Sequence, residues 1–232
     1  SIVAASASSQ SSLYSLGHWK DDEVVQATLQ KPAGAGDSEY AITINDLTVS
    51  ELNTKTLPRR NSGVEPRFFT TNAALLRFSD FHGTLTVDEL EVTKLYTDLL
   101  MDTTNLNGVT NNHIGGGAII LYGSDMTVSI NNSKFHDIMS ANGVIQIGNT
   151  GGTSSLSLVN TDVLRSHGLT ASAMMVNSSA EMAITIQDGT FKNNILSANR
   201  LSFPFDKASM FVINQLVSPS QTTTIRNCEI EE

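Results

Sequence analysis

Apolar and polar residues follow a short pattern that returns six times along this chain. Each copy opens with a hydroxyl residue and an apolar residue, continues through a polar pair and a small or apolar residue, and closes, after one spacer, with a large apolar residue. The two key apolar residues are five positions apart in every copy. The copies span residues 43–49, 86–92, 129–135, 157–163, 185–191 and 224–230. A fixed kernel with variable spacing predicts a solenoid.

The third copy and the residues before it illustrate the local structure that we expect. From residue 126 to residue 130 every second residue is apolar, which is the period of a half-buried strand. The polar pair Asn131 and Asn132 interrupts the alternation, which resumes at Ser133 and Phe135. Because Asn and Asp tolerate the left-handed backbone conformation, the pair predicts a sharp corner. The second corner residues of all copies should stack as a polar ladder: Asp46, Glu89, Asn132, Asn160, Asp188 and Asn227.

A small residue and a compact apolar strand precede the kernel in five repeats, at residues 73–78, 117–121, 142–147, 173–176 and 209–213. Each repeat therefore reads strand, loop, strand, corner, strand. This order predicts a right-handed parallel β-helix of about five to six coils with variable loops, and with insertions at residues 93–114 and 197–207. A β-sandwich is the alternative, because it also contains many short strands. The β-helix requires two inward ladders: Ile44-Val87-Ile130-Leu158-Ile186-Ile225 and Val49-Val92-Phe135-Val163-Phe191-Ile230.

Two short motifs resemble a known group of repeats. Gly115-Gly116-Gly117-Ala118-Ile119 resembles the GGA[ILV] motif of the polymorphic outer-membrane protein repeats, and Phe191-Lys192-Asn193-Asn194 resembles their FxxN motif. Residues 224–230 are similar to the same repeat. The general resemblance covers about residues 41–232, and it implies a β-helix of the pectin-lyase-like class.

The sequence divides near residue 40. Residues 1–40, with a Ser- and Ala-rich start, predict a linker and an N-terminal cap, and residues 41–232 predict the β-helix. The last repeat stops inside a corner–strand unit, and an open coil leaves an unpaired sheet edge. We therefore expect the β-helix to continue beyond residue 232, or its last coil to be covered by another copy or another subunit.

Composition excludes several partners. The net charge of −9 and the pI of about 4.9 disfavour nucleic acid and anionic membranes, whose phosphates attract basic faces. No apolar run approaches the roughly 18–20 residues that a membrane helix requires, so we expect no membrane insertion. The single cysteine, Cys228, has no internal disulfide partner and occupies an inward position, which suits a small buried residue.

No catalytic, cofactor or metal site is predicted. Enzymes on such a fold need paired carboxylates or an acidic calcium site on one outer face, and the outward positions of the small-residue strand carry no carboxylate. Other candidates are Asp80 with His82, Asp125, and His136 with Asp137, and each also suits a turn or a solvated edge. The histidines lack the spacing of metal ligands.

Outward hydroxyl residues form the most regular surface feature. The main row of hydroxyl residues is accompanied by a second row, two residues earlier in each repeat. Paired rows of this kind suit sugar hydroxyls, O-glycans or an ice lattice, although Ser and Thr are also ordinary strand residues. The main row is Thr43, Thr86, Ser129, Ser157, Thr185 and Thr224.

Two further surface features are predicted. We expect an outward row on the small-residue strands to be exposed, and an exposed apolar row suits contact with another chain or domain. Its members are Ile120, Gln146, Met175 and Val212. Asn131 and Asn177 begin N-glycosylation sequons, which favour secretion mildly.

These features favour a non-enzymatic module of an extracellular surface or filament, a structural or adhesive β-helix that contacts protein, by self-assembly or through other subunits, or carbohydrate. The alternative is a carbohydrate-active enzyme, a polysaccharide lyase or glycoside hydrolase, whose catalytic residues lie in the loops. An ice-binding protein is a third reading. No cofactor is expected.

Overall fold

The structure of this chain is a computed structural model that describes residues 14–18, 25–29, 40–50, 74–95, 117–140, 143–168, 171–196, 209–215 and 222–231. Every regular element among them is a β-strand. Most of the predicted linker and cap, most of the two predicted insertions, residues 115–116 of the glycine motif and the side chain of Asp80 lie outside these residues.

Seventeen strands follow one another along the described residues. They are β1 Tyr14–His18, β2 Val25–Leu29, β3 Tyr40–Ser50, β4 Ala74–Thr93, β5 Gly117–Asn131, β6 Lys134–His136, β7 Ile145–Gly151, β8 Thr153–Val159, β9 Asp162–Leu164, β10 His167–Gly168, β11 Ala171–Ser178, β12 Glu181–Gln187, β13 Thr190–Lys192, β14 Ile195–Leu196, β15 Ser209–Gln215, β16 Thr223–Arg226 and β17 Glu229–Glu231.

Parallel pairing between successive coils builds three ladders. The first ladder runs through β4, β5, β7, β11 and β15. The second ladder runs through β3, β4, β5, β8, β12 and β16. The third ladder runs through β3, β4, β6, β9, β13 and β17. The predicted parallel β-helix is therefore confirmed, and the β-sandwich is wrong because sandwich sheets are antiparallel.

Both predicted inward ladders have the expected register. Ile44 pairs in sequence with Val87, Ile130, Leu158, Ile186 and Ile225 along the second ladder. The series from Val49 to Ile230 pairs in the same way along the third ladder. In β5 the side chains alternate between buried and solvent-facing positions from residue 126 to residue 130, as the period of two requires.

Small residues fill the inner side of the corner between the second and third ladders. The Ser133 hydroxyl accepts a hydrogen bond from the Leu90 N–H and donates to the Asn131 carbonyl. At Gly189 a Cβ atom would lie 2.6 Å from the Thr161 carbonyl oxygen and 2.9 Å from the ring of Phe191. The missing side chain therefore leaves room for an aromatic ring in the core. Cys228, at the same inward position of the last coil, is only half-buried.

The predicted polar corner is present in all six copies. Its residues, from Asp46 to Asn227, have φ values between 48° and 55°, which is the left-handed region. The Asn132 amide donates to Asp88 Oδ1 at 2.8 Å, and the Asn160 amide donates to Asn132 Oδ1 at 2.8 Å. The Asn227 amide donates to Asp188 Oδ1 at 3.1 Å. Amide side chains therefore link neighbouring coils and also tolerate the backbone conformation.

A second corner follows the third ladder, and the sequence did not predict it. Lys94, Asp137, Arg165 and Asn193 stand two residues after the third-ladder anchors and have φ values between 53° and 58°. Only two of these four residues belong to the types that favour this conformation. The corner is formed by ladder hydrogen bonds, such as those from the Lys94 N–H to the His136 carbonyl and from the Asp137 N–H to the Leu164 carbonyl.

The inward stack predicts that Ile186→Asp abolishes the folded state. Ile186 is 0% exposed, so the carboxylate would be buried between two coils without a partner. Ile225→Asp is the matched control, because Ile225 holds the equivalent position and is 44% exposed. Circular dichroism during urea titration should show no cooperative transition for the first variant and a retained one for the second. Equal loss in both variants would contradict the stacking.

The first polar corner predicts that Glu89→Gly stabilises the protein. Glu89 has a φ of 54°, and glycine adopts this conformation without steric penalty, so we expect a gain of about 0.5–1 kcal/mol. Glu91→Gly, two residues later in an extended strand, should instead lose about 0.5–1 kcal/mol. Urea unfolding midpoints of the two variants measure the difference. A lower unfolding midpoint for Glu89→Gly than for the wild type would contradict this expectation. It would show that the Glu89 side chain stabilises the fold by more than its left-handed backbone conformation destabilises it.

Candidate binding face

The outer side of the second ladder carries two columns of small uncharged residues. The main hydroxyl column is aligned through every coil by direct strand pairing, as predicted. All its members are exposed or half-buried. The second column stands two residues earlier and is mostly exposed. Its members are Ala41, Thr84, Thr127, Ser155, Ala183 and Thr222, and we call the two columns together the hydroxyl face.

Ladder geometry fixes the spacing of the hydroxyl face. Neighbouring strands lie about 4.8 Å apart, and alternate residues along a strand lie about 6.6–6.8 Å apart. Each hydroxyl can donate one hydrogen bond and accept two, and the methyl groups of Thr and Ala add small apolar patches between them. The two columns contain no charged residue in a chain whose net charge is −9. A regular, neutral, hydrogen-bonding surface of this kind suits a polyhydroxylated partner.

Charged and amide residues border the hydroxyl face on one side. The adjoining column is aligned in the same ladder, and its members are Asn45, Asp88, Asn131, Val159, Gln187 and Arg226. The Arg226 guanidinium donates from Nε to the Gln187 side-chain oxygen at 2.9 Å. Side chains of this border thus bond to one another across coils, whereas the hydroxyl columns face outward.

The predicted apolar interaction row requires a correction. Ile120, Gln146, Met175 and Val212 do stack in register along the first ladder. Their exposed fractions are only 2%, 3%, 3% and 8%, so the expected exposure is wrong. Met175 and Val212 belong with Ala171 to a second apolar cluster, separate from the main core. Both sides of this sheet are therefore shielded, and the row offers no free surface to a partner.

Asp125, a candidate acid, serves as a turn cap. Its Oδ1 accepts the Thr153 N–H at 3.0 Å, and a Cβ atom on Gly152 would collide with its carboxylate. Asp125 itself has a φ of 50°, which places it at a corner between the first and second ladders. His82 Nδ1 lies 3.1 Å from the Ser124 carbonyl oxygen and 3.7 Å from Asp125 Oδ2. The structure thus brings His82 and Asp125 together beside the hydroxyl face.

Of the other two candidates, Asp137 forms an ion pair with Arg165 at the second corner, and His136 lies beside that pair. Arg165 donates from Nε to Asp137 Oδ1 at 2.7 Å and from Nη2 to Oδ2 at 2.9 Å. This bonding with Arg165 holds the pKa of Asp137 below its ordinary value. Burial, and then the charge of Arg165, lowers the pKa of His136, whose Nε2 is buried without a hydrogen-bond partner. The arrangement is structural: a neutral imidazole beside a bidentate pair.

Two asparagines, the buried Asn149 and the half-buried Asn194, link neighbouring coils, and their roles were not predicted. Asn149 donates to the Ser178 hydroxyl at 3.1 Å and to the Glu181 carbonyl at 3.0 Å, and it accepts from Ser154 at 3.1 Å. Asn194, the last residue of the FxxN motif, accepts from the Ser166 N–H at 2.9 Å and donates to the Val163 carbonyl at 2.9 Å. The motif itself was the only signal in the sequence for Asn194.

The sequon asparagines lie on two different ladders. Asn131 belongs to the border of the hydroxyl face, and Asn177 accepts a hydrogen bond from the Asn214 amide at 2.9 Å. Both asparagines are half-buried; the hydroxyl residue of the first sequon, Ser133, is buried, whereas that of the second, Ser179, is exposed. Glycosylation of either asparagine stays a prediction.

Within the described part of the chain, no group of three or more His, Cys, Asp or Glu side chains is placed to hold a metal ion. Nor do these residues include a helix long and apolar enough to cross a bilayer.

The corner ion pair predicts that acid destabilises the fold in two windows. His136 has a lowered pKa, so the unfolded chain takes up a proton more readily as pH falls below the ordinary value of 6.5, and stability declines. Asp137 stabilises above its ordinary value of 3.8, and this contribution is lost as pH falls through its lowered pKa. Unfolding midpoints of the wild type, His136→Gln and Asp137→Asn should be measured between pH 8 and pH 3. We expect each variant to lack the decline in stability that is caused by the residue it replaces. If the pH profile of stability is unchanged by His136→Gln, the window assigned to His136 is contradicted.

Comparisons with known proteins yield no match: no protein-family model matches the sequence, no curated protein matches it, and no solved structure matches the fold. The resemblance of residues 115–119 and 191–194 to the polymorphic outer-membrane protein repeats therefore stays a prediction. A proposal about function must rest on the surface chemistry of the described residues, of which the hydroxyl face is the most regular part.

Proposed function

We propose that this chain is a non-enzymatic structural or adhesive module of an extracellular or cell-surface protein. The observation that carries the proposal is the hydroxyl face: two in-register, uncharged columns on the outer side of one ladder. Three parallel ladders around a buried core hold the two columns in register. A periodic neutral face of this kind is suited to contact an extended partner at several points.

The chemistry of the hydroxyl face favours a neutral polysaccharide as the partner. Sugar hydroxyls exchange hydrogen bonds with Ser and Thr hydroxyls, and sugar C–H groups contact the methyl groups of Thr and Ala. Each such contact contributes little alone, because it replaces a hydrogen bond to water. Many equivalent contacts along a long chain add to useful affinity when the face is already ordered. Acidic polysaccharides fit less well, since the protein itself is acidic.

Two of the candidate carboxylates favour a non-enzymatic role because both are engaged in structural contacts. Asp125 caps the turn at Thr153, and Asp137 is bound in a bidentate fashion by Arg165. A general acid in a hydrolase needs a raised pKa and a free path to the glycosidic oxygen. The pKa of Asp137 is lowered instead, which favours the charged form at neutral pH.

A carbohydrate-active enzyme is the second candidate, and the approach of His82 to Asp125 favours it. The Ser124 carbonyl orients the imidazole through Nδ1 at 3.1 Å, and the Asp125 carboxylate lies 3.7 Å from the same nitrogen, so the ring has a positioning group and a carboxylate beside it. The pair lies at a corner where the hydroxyl face ends, so a bound sugar chain would pass close to it. Asp125→Asn keeps the oxygen that accepts from Thr153 and removes the charge, so it tests catalysis without removing the turn cap.

The proposal predicts binding of insoluble neutral polysaccharides without turnover. Thr84 and Thr127 are exposed neighbours in one column, and Thr84→Lys/Thr127→Lys would place two ammonium groups on the neutral face. We expect this double variant to bind at least tenfold more weakly in pull-down assays, about 1.4 kcal/mol. Thr48→Lys, on an exposed position of the third ladder, is the matched control and should bind normally.

Three outcomes would contradict or redirect this proposal. Equal binding by the double variant and the wild type would remove the hydroxyl face from the interaction. Release of new reducing ends or unsaturated sugars, lost in Asp125→Asn, would establish the enzyme instead. Thermal hysteresis lost in the double variant would favour the ice-binding reading, in which the same columns match a crystal lattice.

A further inference from the structure

Asn177 and the ring of Tyr122 come close together on the outer side of the first ladder. Strand pairing aligns one outward position through successive coils, which carry Tyr122, Gly148, Asn177 and Asn214 in that order. A Cβ atom on Gly148 would collide with the Tyr122 ring, so the ring covers the place that a side chain at position 148 would fill. The Asn177 side chain therefore adjoins an aromatic ring on the side of the preceding coil.

Hydrogen bonding orients the side-chain amide of Asn177 within this column. Its Oδ1 accepts a hydrogen bond from the Asn214 amide of the following coil at 2.9 Å. Because Oδ1 is directed to that coil, Nδ2 is directed away from it, on the side where the Tyr122 ring lies. Among the described residues Nδ2 donates no hydrogen bond, and Asn177 is only half-buried. The nitrogen can therefore carry a substituent without losing a contact within the described fold.

The sequence that follows this asparagine is an acceptor motif for N-linked glycosylation, Asn177-Ser178-Ser179. Ser179 comes directly after the last residue of β11 and is exposed. Its N–H and its hydroxyl both donate to the Asn149 carbonyl, at 2.9 Å and 3.2 Å. The hydroxyl residue of the motif is thus held at the surface, at the end of a strand, where a modifying enzyme can reach it.

The other sequon, at residues 131–133, is enclosed by the fold. Ser133 is 0% exposed, and its hydroxyl is bonded inside the first corner. The asparagine of this sequon, Asn131, stands in its column between the side chains of Asp88 and Val159, whereas Asn177 has a glycine on one side. Closure of the coils therefore withdraws this sequon and leaves the one at Asn177 accessible.

We propose that Asn177 carries an N-linked glycan and that the first sugar of this glycan packs on the ring of Tyr122. The C–H groups of a pyranose carry partial positive charge, and the face of an aromatic ring is negative. The proposal rests on the extracellular or cell-surface location in the proposed function, because N-glycosylation of such sequons accompanies secretion. Asn131 stays unmodified.

The covalent step consumes a lipid-linked oligosaccharide diphosphate. Nδ2 of Asn177 forms a bond to C1 of the first sugar, while the bond from C1 to the phosphate oxygen breaks. The lipid diphosphate leaves with the electron pair of that bond, and Nδ2 loses one proton to a base of the transferring enzyme. No residue of this chain acts as a catalyst in the step.

A glycan at Asn177 leaves the hydroxyl face open. Asn177 belongs to the first ladder, whereas both hydroxyl columns belong to the second. A glycan on Asn131 would instead stand in the border column, two residues from Ser129 of the main hydroxyl column, and would cover the face. The position of the accessible sequon is thus compatible with binding of a polysaccharide on the second ladder.

Secretion of the whole chain from a eukaryotic cell, followed by mass spectrometry of its peptides, tests the site. We expect a glycan on Asn177 and none on Asn131. Asn177→Gln and Ser179→Ala should each abolish the modification, Ser179→Thr should retain it, and Asn131→Gln should be modified as the wild type is. An unmodified Asn177 in the secreted wild type, or a glycan on Asn131, would overturn the assignment.

Comparison of glycoforms tests the contact with Tyr122. An endoglycosidase leaves one sugar on Asn177, and protein made in a bacterial host carries none. We expect the one-sugar form of the wild type to unfold at a higher urea concentration than the sugar-free form, and both forms of Tyr122→Leu to unfold at the same concentration. Each comparison is made within one sequence, so packing lost through the substitution cancels. No rise in the wild type, or an equal rise in both proteins, would overturn the contact.

The polysaccharide assay separates this inference from the proposed function. Asn177→Gln should bind neutral polysaccharides as the wild type does, because the glycan lies away from the hydroxyl face. A secreted protein that is glycosylated at Asn177 but binds no polysaccharide would contradict the role of the hydroxyl face and support the glycan assignment. A secreted protein that binds polysaccharide without a glycan would overturn the glycan assignment alone.

Discussion

The register of parallel backbone pairing between coils is the constraint on which the rest of this structure depends. A slip of one residue would move every side chain to the other side of the sheet. The register is fixed by the stacking of apolar side chains. The most deeply buried members of the stack are at most 1% exposed: Val87, Ile130, Leu158 and Ile186. The same register aligns the corner amides and the hydroxyl columns. Surface regularity is thus a consequence of core packing and needs no separate explanation.

Local preferences, which depend on residues close together in the sequence, made part of the fold predictable. The period of two identifies a half-buried strand, and Asn or Asp after an apolar anchor identifies a left-handed corner. All six residues assigned to that corner have the expected positive φ. Pairing of equivalent residues follows because like positions of a repeat stack on one another. The outward placement of the main hydroxyl column followed from the same alternation.

Features that depend on distant contacts were missed or predicted incorrectly. The apolar run from Ala118 to Leu121 does not alternate with polar residues, and such a run is typical of a strand that is covered on both sides. The exposure predicted for Ile120 was wrong because this strand is covered in that way. The second corner contains Lys94 and Arg165, whose side chains give no local sign of a left-handed conformation. Asn149 has no local signal in the sequence, because its partners Ser178 and Glu181 come from about 30 residues later in the chain.

Coils of this protein close to the same register although their chain lengths differ, with successive anchors 28, 39 or 43 residues apart. Loop-closure entropy grows only with the logarithm of length, so the longest repeat costs about 0.4 kcal/mol more to close than the shortest. That difference is smaller than the contribution of one buried methylene group, about 0.8 kcal/mol. Sequence can therefore be inserted between one kernel and the small-residue strand that follows it with almost no thermodynamic penalty, whereas each kernel position is held by both neighbouring coils. In the evolution of such a chain the length of the inserted segments can vary, whereas the positions of inward and outward residues in each kernel cannot.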